Sequence, residues 1–139
     1  MQELTEEWVF KAENDFTVAH LAMRLEHDEP PVVDSVCFHC QQCAEKYLKA
    51  FLQEHEVRFE PRHPLIPLLE SCLTLDPDFE RLHPDLMGLD GYAVAARYPG
   101  IVLNDEMAER ALAAAGRIRA FVRIKLGFDQ PPERERDRE

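Results

Sequence analysis

The stretch from Ser35 to His55 contains neither glycine nor proline and is rich in residues that favour helices. In a helix, which advances about 100° per residue, its apolar side chains share one broad face. These side chains belong to Cys37, Cys40, Ala44, Tyr47, Leu48 and Phe51. Because such a face must be buried, the sequence predicts a long central helix that packs against a hydrophobic core.

The opposite side of this predicted helix carries a second pattern. It consists of His39, Gln42, Lys46 and Lys49, at spacings of three, four and three residues, and we call it the polar stripe. Phe38 and Glu45 lie alongside it. Ring and amide groups beside two ammonium groups, with an aromatic side chain next to them, indicate a surface that contacts another molecule.

Apolar periodicity predicts further helices on both sides of the central one. They run from Thr5 to His27, onward from Pro64, from Phe79 to about Ala96, and from Asn104 to just before Gly127. We therefore expect an all-α fold, an up-and-down helical bundle of four long helices plus a short one. The bundle occupies residues 1–127. The charged, proline-bearing residues 128–139 are expected to form a disordered tail.

Charge and composition exclude several classes of protein. The formal net charge of −11 argues against a general nucleic-acid coat, which requires a basic surface. The acidic N-terminal residues do not resemble a signal peptide, and no apolar run approaches the roughly 20 residues that span a bilayer. We expect a soluble, cytoplasmic protein whose four cysteines are thiols.

The polar stripe also carries a family resemblance. Its residues, together with Glu45 and Ala50, resemble the H-x-x-Q-x-x-E-K-x-x-K-A signature of HEPN domains, the higher eukaryotes and prokaryotes nucleotide-binding group. Other segments are similar to the family's opening helix, its H-x-L element and its Y…RYP element. They contain Trp8, Ala12 and Asp15, then His63 and Leu65, then Tyr92, Arg97, Tyr98 and Pro99. The resemblance covers roughly residues 5 to 126 and is closest to the small stand-alone prokaryotic type.

The resemblance implies a helical bundle that commonly forms a homodimer, and it implies three functions. Some members partner a small nucleotidyltransferase in pairs that resemble toxin and antitoxin. Others are proposed to bind nucleotides. A third group are metal-independent ribonucleases with an Arg-x(4–6)-His motif.

Our first interpretation is a non-catalytic protein that binds a nucleotide, serves as the helical partner of a nucleotidyltransferase, or does both. Two ammonium groups one turn apart are able to hold phosphate oxygens, while Gln42 and His39 orient a base or ribose. Arg97 and Tyr98 would complete the anion site. The same surface also suits a helix–helix interface in a dimer, and the two uses are compatible because pockets often form at interfaces; the sequence leaves them open.

The alternative interpretation is a metal-independent endoribonuclease that uses Arg58 and His63. The spacing matches Arg-x(4–6)-His, a histidine is able to move the 2′-hydroxyl proton, and an arginine holds the phosphate. However, family ribonucleases carry this motif late in the chain, whereas here it follows the central helix. RNA is a partner only under this alternative.

The cysteines suggest a metal site only at first inspection. Cys37, Cys40 and Cys43 are spaced as C-x2-C-x2-C, with Cys72 further along the chain. Structural metal sites use this spacing in loops, whereas here it falls within a predicted helix on its core-facing side. We expect buried, apolar cysteines, no metal and no cofactor other than a bound nucleotide.

Overall fold

The computed structural model describes residues 1–24, 30–61 and 64–131, and within these ranges it is all-α. Its helices are α1 (Glu3–Met23), α2 (Val33–Glu54), α3 (Leu65–Leu75), α4 (His83–Leu89), α5 (Tyr92–Ala95) and α6 (Asp105–Lys125). A 3-10 helix, Pro77–Leu82, lies between α3 and α4. The predicted all-α helical bundle is confirmed.

Helix α2 lies at the centre of the bundle. It packs most extensively against α1 and α6 and also contacts α3, α4 and α5. All six residues of its predicted apolar face are buried. The ring of Phe51 extends this apolar contact to Phe79 of the 3-10 helix, with the two ring centroids 4.4 Å apart. Phe79 in turn contacts Phe121 of α6, at 5.0 Å between centroids.

Helix α1 begins earlier than its predicted start at Thr5. The helix begins at Glu3, two residues earlier, and Thr5 is buried within its first turn. The reason is a carboxylate from another helix. Glu54, the last residue of α2, accepts hydrogen bonds from the backbone N–H of Gln2 at 3.0 Å and from the hydroxyl of Thr5 at 3.1 Å. The predicted end of α1, His27, lies outside the described residues.

The region between α3 and α6 is irregular: the helix predicted from Phe79 to about Ala96 is divided into a 3-10 helix, α4 and α5. Gly91 lies between α4 and α5 and has a φ of 92°. Residues with a Cβ rarely adopt this backbone conformation. Further along, the Asn104 side chain accepts a hydrogen bond from the backbone N–H of Met107 at 2.8 Å, which confirms it as the cap of α6. The chain in this region brings Arg97 close to Phe38 of α2.

The end of the bundle is fixed by ion pairs from α6. Gly127, with a φ of 84°, follows that helix closely. Arg123 then pairs with Asp129 at 2.8 Å, so part of the predicted tail contacts the bundle. Residues 132–139 of that tail lie outside the described residues. No helix in the described ranges is long and apolar enough to cross a membrane.

Candidate functional site

Two members of the polar stripe share one carboxylate from α1. Asp15 Oδ1 lies 2.7 Å from Nδ1 of His39, and Asp15 Oδ2 lies 2.5 Å from Nζ of Lys46. The Asp15 side chain is only 9% exposed, whereas those of His39 and Lys46 are 27% and 23% exposed. A buried carboxylate therefore holds two partly exposed cationic or proton-binding groups in fixed positions. We call these three residues the Asp15 cluster.

Lys49, the last member of the polar stripe, faces inward. Its ammonium group donates to the carbonyl oxygen of Pro61 at 3.2 Å and lies 3.7 Å from the Glu45 carboxylate. It also lies over the rings of Trp8 and Phe59, 5.3 and 5.6 Å from their centroids. The side chain is 4% exposed, so these contacts fix the connector after α2 onto the bundle.

Gln42 faces an open cleft of about 780 Å³ between α2 and the chain around α5. The lining combines residues of α2, the ends of the connector before α3, and the α4–α5 region. These are Gln41, Gln42, Glu45, Pro61, Pro64, Asp90, Gly91, Ala93, Val94 and Arg97. The volume lies within the usual range for small-molecule sites, which is roughly 300 to 1,000 Å³.

Arg97 reaches this cleft because α5 ends just before it. Its Nε donates to the carbonyl oxygen of Ala93 at 2.6 Å, and its guanidinium lies 5.7 Å from the ring centroid of Phe38. The same Phe38 ring meets the ring of His39 edge-on, at 5.1 Å. Arg97 and His39 thus contact the same aromatic ring. Tyr98, by contrast, is 59% exposed and is not part of the cleft lining.

The sequence did not indicate two residues of the candidate site. Asp15 was noted only for its family resemblance, and Gln41 was not singled out. Gln41 is buried, and its side-chain oxygen accepts a hydrogen bond from the backbone N–H of Ala93. The spacing in α1 does indicate that Asp15 is buried, because it lies three residues after Ala12 and four before Ala19 in the buried stripe of this helix. A charged residue at such a position requires a partner.

The proposed ribonuclease pair is described only in part. Arg58 lies in the connector after α2 and is exposed. It borders a shallow groove beside Leu4 and Trp8, away from Gln42 and Arg97. His63 lies outside the described residues. The catalytic role of Arg58 and His63 stays a prediction.

The four cysteines are buried free thiols. Burial raises the pKa of Cys37 to about 11 and the pKa values of Cys40 and Cys72 to about 12. Burial likewise raises the pKa of Cys43 well above its ordinary value. In the described part of the chain, no three His, Cys, Asp or Glu side chains converge closely enough to hold a metal ion.

A second polar network joins α1 to α6 on another side of the molecule. The Glu13 carboxylate accepts hydrogen bonds from Arg119 at 2.7 and 2.8 Å and from Arg123 at 2.7 Å. Burial alone would raise the pKa of Glu13, but the hydrogen bonds and charges of these arginines outweigh it and hold the pKa below its ordinary value. This network stabilises the bundle and lies apart from the cleft.

Fold and site together define an all-α bundle whose central helix presents a polar stripe and an adjoining cleft. The sequence model of the HEPN domain matches residues 5–125, and the chain belongs to the HEPN domain family. No curated protein matches the sequence significantly.

Two crystal structures are similar to this fold. The protein TT1696 from Thermus thermophilus is 27% identical, with a TM-score of 0.75 over 89% of this chain and 99% of that chain. ST0689, described as an archaeal HEPN homologue, is 26% identical, with a TM-score of 0.67 over 90% of this chain and 98% of that one. The predicted family is therefore confirmed.

Proposed function

We propose that this protein binds a nucleotide in the cleft beside the polar stripe and acts there as the helical partner of a nucleotidyltransferase, in a pair that resembles toxin and antitoxin. The observation that carries the proposal is the meeting of Gln42 from α2 with Arg97 from the chain after α5, in one cleft of about 780 Å³. The amide of Gln42 is able to form hydrogen bonds with a base or a ribose, and the guanidinium of Arg97 is able to bind a phosphate.

In this proposal the predicted site residues have different tasks. Gln42 and Arg97 contact the ligand directly, and the Asp15 cluster supplies His39 and Lys46 at the adjoining surface. Lys49 supports the connector from within, because its ammonium group is already occupied by Pro61 and Glu45. In this arrangement Lys46 is the ammonium group of the stripe that is more accessible to a phosphate.

A specific observation favours the partner role. From Val94, which lines the cleft, onward, the chain exposes several apolar side chains. They are Val94, Tyr98, Ile101 and Val102, which are 51 to 88% exposed. Exposed apolar side chains beside a cleft are typical of protein–protein contact sites. A nucleotidyltransferase that docks there would cover the cleft, and a homodimer is the competing use of this surface.

Calorimetric titration with ATP and GTP tests the nucleotide proposal. We expect saturable binding to the wild type and a loss of about tenfold or more in affinity for Arg97→Ala, since a charge-assisted hydrogen bond to phosphate is worth about 1.5 to 3 kcal/mol. Gln42→Ala should weaken binding less, because it removes a neutral donor and acceptor.

Arg110→Ala is the matched control. Arg110 is an exposed arginine of α6 whose described partner is Glu106, and it does not line the cleft. This variant should bind as the wild type does. If neither nucleotide releases heat with the wild type, or if Arg97→Ala and Arg110→Ala bind alike, the nucleotide site is not in this cleft.

The partner proposal has its own test. Co-expression with a nucleotidyltransferase encoded next to this gene should yield a complex that co-purifies through gel filtration. Val102→Glu should abolish the complex without changing the unfolding transition, because Val102 is 88% exposed. A complex that survives this substitution would place the contact elsewhere.

A further inference from the structure

The Asp15 cluster has a chemical consequence for His39 that goes beyond ligand binding by the stripe. An ionised carboxylate only accepts hydrogen bonds, so the ring nitrogen that faces Asp15 must carry the hydrogen. That nitrogen is Nδ1, which lies 2.7 Å from Asp15 Oδ1. The second carboxylate oxygen receives the ammonium group of Lys46 at 2.5 Å, which keeps a positive charge beside the carboxylate.

We propose that Asp15 is a positioning residue that holds neutral His39 as the Nδ1–H tautomer, so that Nε2 accepts a hydrogen bond from a hydroxyl or amino group of a ligand bound beside Arg97. The choice of tautomer in a histidine is set by the hydrogen bond that the other nitrogen makes. Among the described residues, Nε2 of His39 has no hydrogen-bond partner, and the side chain is 27% exposed.

The surroundings of His39 indicate which ligand group would meet it. The Phe38 ring contacts both groups, with its centroid 5.1 Å from that of the His39 ring and 5.7 Å from the Arg97 guanidinium. A ligand that binds against this ring therefore lies near an acceptor, Nε2 of His39, and a cation, the guanidinium of Arg97. This fits a molecule that carries a hydroxyl or amino donor and an anionic group, as a ribonucleotide does.

The hydrogen bond from a ligand to Nε2 of His39 rests on the function proposed above, whereas the tautomer of His39 is a property of the protein alone. Among the described residues, the charged groups nearest to His39 in the contacts above are Asp15 from α1, Lys46, which pairs with the same carboxylate, and Arg97, which contacts the Phe38 ring. Asp15 is the one that touches the imidazole. Asp15→Asn keeps the shape of the side chain and removes its charge, so it changes the contacts of Asp15 with both His39 and Lys46, and Lys46→Met is needed beside it.

Nitrogen–proton correlation NMR of histidine-labelled protein without ligand tests the inference. We would record it at alkaline pH, about pH 8.5, above the ordinary value for imidazole. His39→Gln assigns the signal. The wild type should show His39 as Nδ1–H, and Asp15→Asn should shift it toward the Nε2–H form that free histidine prefers in water. Glu6→Gln, an exposed acidic residue of α1, should leave the signal unchanged.

A wild-type His39 found as Nε2–H, or a tautomer that Asp15→Asn leaves unchanged, would overturn the inference. If Asp15→Asn does not fold, the wild-type spectrum still decides the tautomer. Lys46→Met then shows whether Asp15 alone is sufficient, and the expected result is retention of Nδ1–H. Conversion to Nε2–H in Lys46→Met would contradict the assigned role of Asp15.

Titration of the same variants with ATP separates this inference from the proposed function. If the wild type binds ATP, Asp15→Asn should weaken binding by about tenfold, the value of one good hydrogen bond. If the wild type shows the Nδ1–H tautomer and binds neither ATP nor GTP, the proposed nucleotide function fails while the positioning role of Asp15 stands.

Discussion

The carboxylate of Glu54, the last residue of α2, accepts a hydrogen bond from the hydroxyl of Thr5 in the first turn of α1 at 3.1 Å. The same carboxylate receives the backbone N–H of Gln2, which is the main reason that the pKa of Glu54 lies below its ordinary value. One helix therefore supplies the N-terminal cap that the other lacks in its own sequence.

Replacing Glu54 should destabilise the bundle through α1. Glu54→Ala leaves the Gln2 N–H and the Thr5 hydroxyl without their acceptor, and loss of a capping side chain costs about 0.5 to 2 kcal/mol. Chemical denaturation measures the free energy of unfolding. Glu109→Ala, an exposed residue within α6, is the control and should cost far less. Equal losses in the two variants would contradict the capping role.

The Glu13 network should make stability depend on acid pH. Because the pKa of Glu13 is lowered in the folded state, its contribution is complete above the ordinary value for glutamate. It is lost as the pH falls through the lower, folded value. Between about pH 6 and about pH 3, the free energy of unfolding should therefore fall more steeply in the wild type than in Glu13→Gln. Denaturation at several pH values checks this, and parallel curves would contradict it.

Lys49 should contribute to stability rather than to ligand affinity. Lys49→Ala removes the hydrogen bond to Pro61 and the packing of the side chain against Trp8 and Phe59, at an expected cost of about 1 to 3 kcal/mol. Lys49→Met keeps most of the packing and should cost less. If Lys49→Ala unfolds as the wild type does yet loses nucleotide binding, the ammonium group contacts the ligand instead.

The cysteines should be unreactive in the native protein. Burial holds the pKa values of Cys37, Cys40 and Cys72 at about 11 to 12, so very little thiolate is present at about pH 8. Ellman's reagent should label none of the four thiols until the chain is unfolded in denaturant, where all four react. Rapid labelling of the folded protein would show that α2 opens readily.

The ribonuclease alternative predicts cleavage of RNA that persists in EDTA and disappears in His63→Ala. If purified wild-type protein leaves a mixed RNA substrate intact, this alternative is excluded for the isolated chain. EDTA-resistant cleavage that survives His63→Ala would mean that Arg58 and His63 are not the catalytic pair. Arg110→Ala serves as a control for nonspecific loss of a basic side chain.

The sequence was sufficient for the features that depend on one helix at a time. The two faces of α2 follow from its periodicity, and the Asn104 cap depends on a contact three residues away. The Asp15 cluster could not be predicted in the same way, because it depends on how α1 is rotated against α2. The inward direction of Lys49 has a similar origin, since its partner is a backbone carbonyl in the following connector.

Helix α5 spans only Tyr92–Ala95, too short to be stable by itself, and the amide of Gln41 holds its backbone at Ala93. One wall of the cleft is thus a brief segment that the buried Gln41 and the half-buried Tyr92 hold against the bundle. An exposed residue on that segment, such as Val94, is able to change during evolution without disturbing the packing of the long helices. Related proteins could in this way acquire different specificities on an unchanged scaffold.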